Sequence, residues 1–159
     1  YEAFAARGML CSPYALFKEF MNRSDFDKYE HVWAIYDMED NEYIINKYKN
    51  VSNVRFVEFN SNEYLKALGE AKYIINNSTF PGFVTKKDEQ IYINTWHGIP
   101  LKTLGYDLPD ANIAVANTMR NFLSADYLIS PNKFRYLLKG IQIRWIIRRY
   151  YYRRGTAKK

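Results

Sequence analysis

Short β-type segments recur along this chain with helical segments between them, and that alternation constrains the fold more than any other feature. His31-Val-Trp-Ala-Ile-Tyr36 and Val54-Arg-Phe-Val-Glu-Phe59 are rich in β-branched and aromatic residues, as buried strands require. Tyr73 to Ile75, Ile91 to Asn94 and Tyr127 to Ile129 repeat the signal more briefly. Between them the pattern turns helical. A helix is expected from Ser12-Pro13 to about Asn22, with Ser12 as its cap, Pro13 in its first turn, and Leu16, Phe17, Phe20 and Met21 on one side. Others are expected over Tyr43 to Tyr48, over Asn62 to Ala71 with Tyr64, Leu65 and Leu68 at helical spacing, over Asn117 to Ser124, and over Lys133 to Lys139. Tyr1 to Phe4 reads as the end of a strand, and Pro81-Gly82 as a turn. Strands joined through helices of about ten residues imply βα units, hence an α/β fold with a Rossmann-like, mostly parallel sheet and flanking helices.

The chain has 159 residues and 48% hydrophobic composition, enough for one well-buried domain. Its apolar runs fall far short of the roughly 20 residues that cross a bilayer. It starts at Tyr1 without an initiator methionine or a signal-peptide pattern, which suggests a piece of something longer. A single cysteine, Cys11, cannot form an internal disulfide, and a reducing cytoplasm is the simplest home. The net charge of +6 points to nucleic acid only until it is divided along the chain. Residues 139 to 159 carry eight lysines and arginines and no acid, whereas the other 138 residues hold 15 bases and 17 acids. The body therefore has no field for a polyanion, and the tail IQIRWIIRRYYYRRGTAKK suits a membrane surface or RNA about equally.

No G-x-G-x-x-G or Walker-type loop accompanies the α/β pattern. The chemistry-bearing stretch is instead Tyr92-Ile-Asn-Thr-Trp-His-Gly-Ile-Pro-Leu-Lys-Thr-Leu-Gly105. His97, one of two histidines, follows an apolar strand at its carboxyl end, where open α/β sheets bind ligands. Gly98 permits close backbone approach, and Pro100 can open a helix whose free donors face an anion. An imidazole titrating near neutrality suits removal of a proton from an attacking hydroxyl. The alternative is a packed histidine beside a core tryptophan. His31, next to Glu30, reads as a capping or surface residue. Two histidines 66 positions apart and one distant cysteine offer no metal-ligand spacing, so neither a metal nor a cofactor is expected. Lys102 can meet a phosphate or simply be solvated. Ser130-Pro131-Asn132, with Asp126 ahead of it, forms either a second loop at the same sheet edge or just a turn. Most of the 15 tyrosines are expected in the core.

Thr95-Trp-His-Gly-Ile-Pro-Leu-Lys-Thr-Leu-Gly-Tyr-Asp107 together with Asn121-Phe-Leu-Ser-Ala-Asp-Tyr-Leu-Ile-Ser-Pro-Asn132 closely resembles the CDP-glycerol glycerophosphotransferases of teichoic acid synthesis. Tyr1-Glu-Ala-Phe4, the Ser12-Pro13 helix entry and His31-Val-Trp33 support the match, which covers residues 1 to about 140. The resemblance implies a GT-B enzyme of two Rossmann-like domains, with residues 1-140 forming the acceptor-side domain and a CDP-glycerol-binding domain absent. It implies transfer of glycerol phosphate from CDP-glycerol to a hydroxyl of a polyprenyl-linked teichoic acid primer or chain, with release of CMP, at the cytoplasmic face of the membrane. His97 is then the base, with Trp96, Gly98, Pro100, Lys102, Ser130 and Asn132 around the substrate, and no nucleic acid partner is expected. A CDP-ribitol donor is the alternative within the same class, and a lipid- or RNA-binding protein acting through the basic tail is the alternative outside it. These 159 residues alone are expected to be inactive.

The family pattern would continue past residue 140 with a segment like Asp-Gly-Leu-Tyr-Glu-Gly. Codons for Arg144-Trp-Ile-Ile-Arg-Arg149 (CGA TGG ATT ATA CGA AGG), read one base later, spell that segment. Residues 141-159 therefore read as a frameshifted translation, and the gene's own codons test this. Codons that cannot yield the pattern in the shifted frame exclude it.

Overall fold

A computed structural model describes residues 1–98 and 113–129. The helix expected over Lys133 to Lys139 and the tail lie outside the described residues, as do Pro100, Lys102, Ser130 and Asn132. In chain order the elements are α1 (Cys11–Met21), β1 (His31–Ile35), α2 (Glu42–Tyr48), β2 (Val54–Glu58), α3 (Asn62–Glu70), β3 (Tyr73–Asn76), β4 (Ile91–Asn94), α4 (Ile113–Ser124) and β5 (Tyr127–Leu128). A single 3-10 turn, Ser24–Phe26, joins α1 to β1 and has no counterpart in the sequence reading.

The strands form two parallel ladders, β1 with β2 and β3-β4-β5. Residues 1 and 2 join them. The Tyr1 amino group donates to Val32 O at 2.7 Å and Ala34 N donates to Tyr1 O at 3.0 Å, while Glu2 N donates to Ile75 O at 2.9 Å. The continuous order is thus β2, β1, residues 1–2, β3, β4, β5, all parallel. Counted from the start of the chain this is third, second, first, fourth, fifth, sixth, the doubly wound order of a Rossmann sheet. The direction of winding reverses between residues 1–2 and β3.

Each face has its own core. Alternation puts His31, Trp33 and Ile35 on one face, where Phe17 of α1 and the half-buried Ile44 and Tyr48 of α2 cover them. Ala34 and Val57 lie on the other, against Tyr64 and the half-buried Leu68 of α3. Leu65, expected on the same apolar stripe, is 45% exposed, because α3 turns only the Tyr64–Leu68 edge to the sheet. Ser61 caps α3 by accepting from Tyr64 N at 3.1 Å. Ser12 does not cap α1: that helix begins one residue earlier, at Cys11, after an uncapped Leu10, so Ser12 lies in the first turn. Helix α4 starts at Ile113 rather than Asn117, because Ile113-Ala-Val-Ala116 continues the apolar pattern by a further turn. The tyrosines divide: Tyr64 and Tyr92 are buried, but Tyr36 and Tyr43 are exposed.

His31 is a correction of a different kind. Only 2% of it is exposed, with Tyr1 Oη 2.8 Å from Nδ1 and the Phe17 ring 5.5 Å away edge-on. As the first residue of β1 it alternates in phase with Trp33, so its ring falls on the α1 face and into the core.

Glu2 is buried on the α3 side, where Tyr64 Oη donates to its Oε2 at 2.9 Å. Burial pushes its carboxyl up to about 7, and the Tyr64 bond only partly opposes that. A raised carboxyl stabilises the fold fully below the unfolded value, and the contribution is lost as pH rises through about 7. Burial lowers His31, so that residue acts in the opposite direction, weakening the fold as pH falls below its unfolded value. Burial also lowers the Tyr1 amino group to about 6, which acts in the same direction as His31, so urea unfolding at pH 5 and pH 8 reads the sum and a Glu2 variant isolates the Glu2 share. Glu2→Gln is expected to remove a loss on the order of 3 kcal/mol between those values. An unchanged difference in the variant would show that Glu2 does not carry it.

Candidate functional site

The carboxyl ends of β3 and β4 carry matched asparagines, since Asn76 pairs in register with Asn94 and both are fully buried. Asn94 shapes the turn that follows. Its Oδ1 accepts from Trp96 N at 2.8 Å, and its Nδ2 donates to Ser78 O at 2.9 Å and to Tyr92 Oη at 3.0 Å. Thr95 N donates to Asn76 O at 2.8 Å, which extends the β3–β4 ladder one step further.

That bracing holds an uncommon backbone. Trp96 sits at φ 47, a left-handed conformation that costs a bulky residue roughly 1–3 kcal/mol, and Gly98 follows at φ 136. An added Cβ at Gly98 would meet nothing within 4 Å, so glycine is there for its backbone angle and not for space. Between them His97 is exposed. The Trp96 indole stacks on the imidazole at 4.3 Å and meets Phe122 edge-on at 4.8 Å. Phe122 belongs to a small core with Val115 and Met119 of α4. His97 is therefore neither of the sequence alternatives in pure form. It is a solvent-facing imidazole resting on a half-buried tryptophan.

On its other side stands Phe4, whose ring centroid is 6.0 Å from that of His97. Phe4, Ala5 and Ala6 have φ of 49, 55 and 63, three successive left-handed residues directly after the first sheet segment. Such residues cost about 1–2 kcal/mol each, and side-chain and backbone bonds hold this turn. Phe4 N donates to Asn77 Oδ1 at 2.8 Å, and Tyr36 N donates to Ala6 O at 2.7 Å.

A layer of amides supports β4 from below. Asn121 of α4 accepts from Phe80 N at 2.8 Å and from Tyr92 Oη at 3.1 Å. Arg120 donates to Pro81 O at 2.9 Å and also to Val84 O, pinning the Phe80–Val84 loop to α4. Asp126 does not face the His97 turn: its Oδ2 accepts from Tyr92 N at 2.8 Å and lies 3.3 Å from Lys86 Nζ.

The structure thus brings together Trp96, His97 and Gly98 with Phe4, at the carboxyl ends of the strands and beside the reversal of winding. Sequence reasoning missed Phe4, Asn77, Asn94 and Asn121. The parallel endings Tyr-Ile-Ile-Asn76 and Ile-Tyr-Ile-Asn94 were the available signal, because a polar residue closing an apolar strand has to be bonded to something. A cavity of about 270 Å³ lies elsewhere. Glu30, Arg55 and Lys72 line it at the amino ends of the strands, the end opposite to where open parallel sheets hold ligands. Among the described residues no three His, Cys, Asp or Glu side chains gather in a way that would hold a metal ion.

Comparison with known proteins converges on one group. The family model for CDP-glycerol:poly(glycerophosphate) glycerophosphotransferase matches residues 1–138. A teichoic acid poly(glycerol phosphate) polymerase of Bacillus spizizenii is 31% identical over 141 residues, covering 84% of this chain and 34% of that protein. The polymerase of Staphylococcus epidermidis is 33% identical over 143 residues, covering 84% of this chain and 18% of that one. The chain therefore spans between about a fifth and a third of these relatives. The wall teichoic acid polymerase TagF superposes with a TM-score of 0.70 at 27% identity, over 95% of this chain and 34% of TagF. A TagF variant soaked with CDPG gives 0.68 at 28% identity, over 82% of this chain and 32% of that one. The matching stretch includes the first sheet segment, the strained turn after it and the His97 turn, so the site and the fold point the same way: this chain belongs to the CDP-glycerol:poly(glycerophosphate) glycerophosphotransferase family.

Proposed function

We propose that this chain supplies the acceptor side of an enzyme that transfers glycerol phosphate from CDP-glycerol to a hydroxyl of a teichoic acid primer or chain. The observation that carries this reading is His97, exposed on a braced and strained turn at the carboxyl end of β4, within a stretch that the family model matches. In the proposed reaction the acceptor oxygen attacks the β-phosphorus of CDP-glycerol while its proton passes to the His97 imidazole. The bond from that phosphorus to the bridging oxygen breaks, and CMP leaves with the bond's electrons. Phosphoryl transfer asks the protein mainly for positioning and charge stabilisation, so a single proton acceptor at a fixed place is a sufficient contribution from this side. Trp96 holds the ring from one face. Gly98, Pro100 and Lys102, with Ser130 and Asn132, are proposed to contact substrate.

Residues 1-140 are proposed as one domain, with the donor held mainly by a second one. The curated relatives named above are glycerol phosphate enzymes, which favours glycerol over ribitol as the transferred polyol. No helix among the described residues is long and apolar enough to cross a membrane, and attachment at the cytoplasmic membrane face is proposed to be peripheral. The test is to replace the corresponding segment of a teichoic acid polymerase with residues 1-140 and to follow CMP release from CDP-glycerol and from CDP-ribitol. Turnover with CDP-glycerol supports the reading. A well-folded chimera that turns over neither donor overturns it. The 159-residue chain alone is expected to release no CMP, and clear release would contradict the proposed division of labour.

A further inference from the structure

The left-handed turn of Phe4 to Ala6 is pinned at both ends. Ala3 and Ala6 are fully buried, Arg7 N donates to Ala3 O at 3.0 Å, and Tyr36 N donates to Ala6 O at 2.7 Å. Asn77, also fully buried, accepts from Phe4 N at 2.8 Å, and Asn41 Nδ2 donates to Arg7 O at 3.1 Å. The Phe4 side chain takes no part in this pinning. Its ring is 36% exposed, belongs to none of the apolar cores, and among the described residues meets one other ring, the His97 imidazole.

Phenylalanine is a poor residue for such a place. Left-handed angles suit glycine, asparagine or aspartate, and a large apolar ring gains little by standing partly in water. Backbone strain persists where the surroundings impose it, and it collects at functional sites. What this turn achieves is a placement. It carries the Phe4 ring from the first sheet segment, which bridges to β3 at Asn76, to within 6.0 Å of an imidazole beyond the end of β4, at 41° to it. Without that ring His97 is a solvent-facing side chain with one support, the Trp96 indole stacked at 4.3 Å and 25°. A second ring narrows the rotamers open to the imidazole.

We propose that Phe4 is a positioning residue: its ring, set by the left-handed turn, confines the His97 imidazole to the orientation in which it takes the proton of the acceptor hydroxyl. Orientation of this kind acts on the rate of the chemical step and not on donor binding. The proton-transfer part rests on the glycerophosphate reading above; the confinement of the imidazole rests on the geometry alone.

Phe4→Gly separates the ring from the backbone, since glycine adopts a φ of 49 more readily than phenylalanine does. In the 159-residue chain this variant is expected to melt close to the parent. The Hα–Hβ couplings of His97, which report its rotamer, are expected to change from those of one dominant rotamer to an average. In the polymerase carrying residues 1-140, kcat is expected to fall about tenfold with KM for CDP-glycerol unchanged. Phe4→Tyr, which keeps a ring, should recover most of the rate and the parent couplings. Ala5→Gly, which eases the neighbouring angle and leaves Phe4 in place, should alter neither. Phe4→Ala carries the same expectations as Phe4→Gly and serves if that variant does not fold. In a His97→Ala background Phe4→Gly should cost nothing further, because its effect passes through the imidazole. An equal further loss in that background, or a raised KM for the acceptor with kcat intact, overturns the positioning role. Couplings identical in the parent, Phe4→Gly and Phe4→Ala overturn the confinement. If the couplings change as expected but His97→Ala turns over as fast as the parent, the base assignment fails with the proton-transfer part, and the confinement alone stands.

Discussion

In a polymerase carrying residues 1-140 of this chain in place of its own, His97→Ala is expected to lower the rate of CMP release about 10²–10⁴-fold, the range that a positioned proton acceptor contributes. The form of the loss matters as much as its size. A base acts only as the acceptor hydroxyl begins to bond to phosphorus, so kcat and kcat/KM should fall together while KM for CDP-glycerol stays close to its starting value. His97→Asn, which retains a hydrogen-bonding side chain of similar reach but no proton acceptor, should be about as slow as the alanine variant. If His97→Asn keeps most of the activity, or if the loss appears as a raised KM alone, His97 binds substrate and does not take the proton. Trp96→Leu supplies the control on positioning. It removes the stacking contact at 4.3 Å without touching the imidazole, and should slow turnover much less than loss of the imidazole itself.

How much of this was legible from residues alone differs between levels. The β-type segments were legible because burial on both sides of a parallel sheet leaves a dense apolar signature: His31–Ile35, Val54–Glu58 and Ile91–Asn94 all stand within a residue of where the pattern puts them. His97 was legible because a histidine just past such a strand stands where ligands bind, and the surrounding motif named a family. Its support was not legible. Phe4 and Asn77 are 73 positions apart and meet only because the first segment lies between β1 and β3, a pairing no local pattern encodes. The left-handed angles at Phe4, Ala5, Ala6 and Trp96 were equally hidden, since none of these residues prefers them and only the surrounding bonds impose them. His31 was misjudged for a related reason. A neighbouring glutamate suggested the surface, but the alternation that buries Trp33 buries His31 too, while Glu30 points out to pair with Arg55 at 3.0 Å.

Phe17→Ala is expected to be the most destabilising single change among the described residues of the first helix. Phe17 is fully buried and touches the whole aromatic layer beneath α1. Tyr1, His31, Trp33 and Tyr48 stand edge-on to its ring at centroid distances of 5.7, 5.5, 5.8 and 5.2 Å. Truncation removes the transfer energy of the ring and leaves a cavity among stiff neighbours that cannot close over it, a cost of about 3–5 kcal/mol. In a domain of this size that is a fall of roughly 8–15 °C in melting temperature. Phe17→Leu keeps most of the volume and loses mainly the edge-to-face geometry, so about 1–2 kcal/mol is expected. Tyr43→Ala, at a position 83% exposed, should stay within about 0.5 kcal/mol. A Phe17→Ala variant that melts within a few degrees of the parent would mean that α1 is not anchored through this ring. Anchoring also reaches the site, because α1 starts at Cys11, only five residues after the left-handed turn of Phe4 to Ala6. If Phe17 seats α1 and α1 steadies that turn, the alanine variant should loosen Phe4 against His97 well below its melting temperature. The His97 imidazole resonances should then broaden or shift at 25 °C while the Tyr43→Ala control leaves them in place.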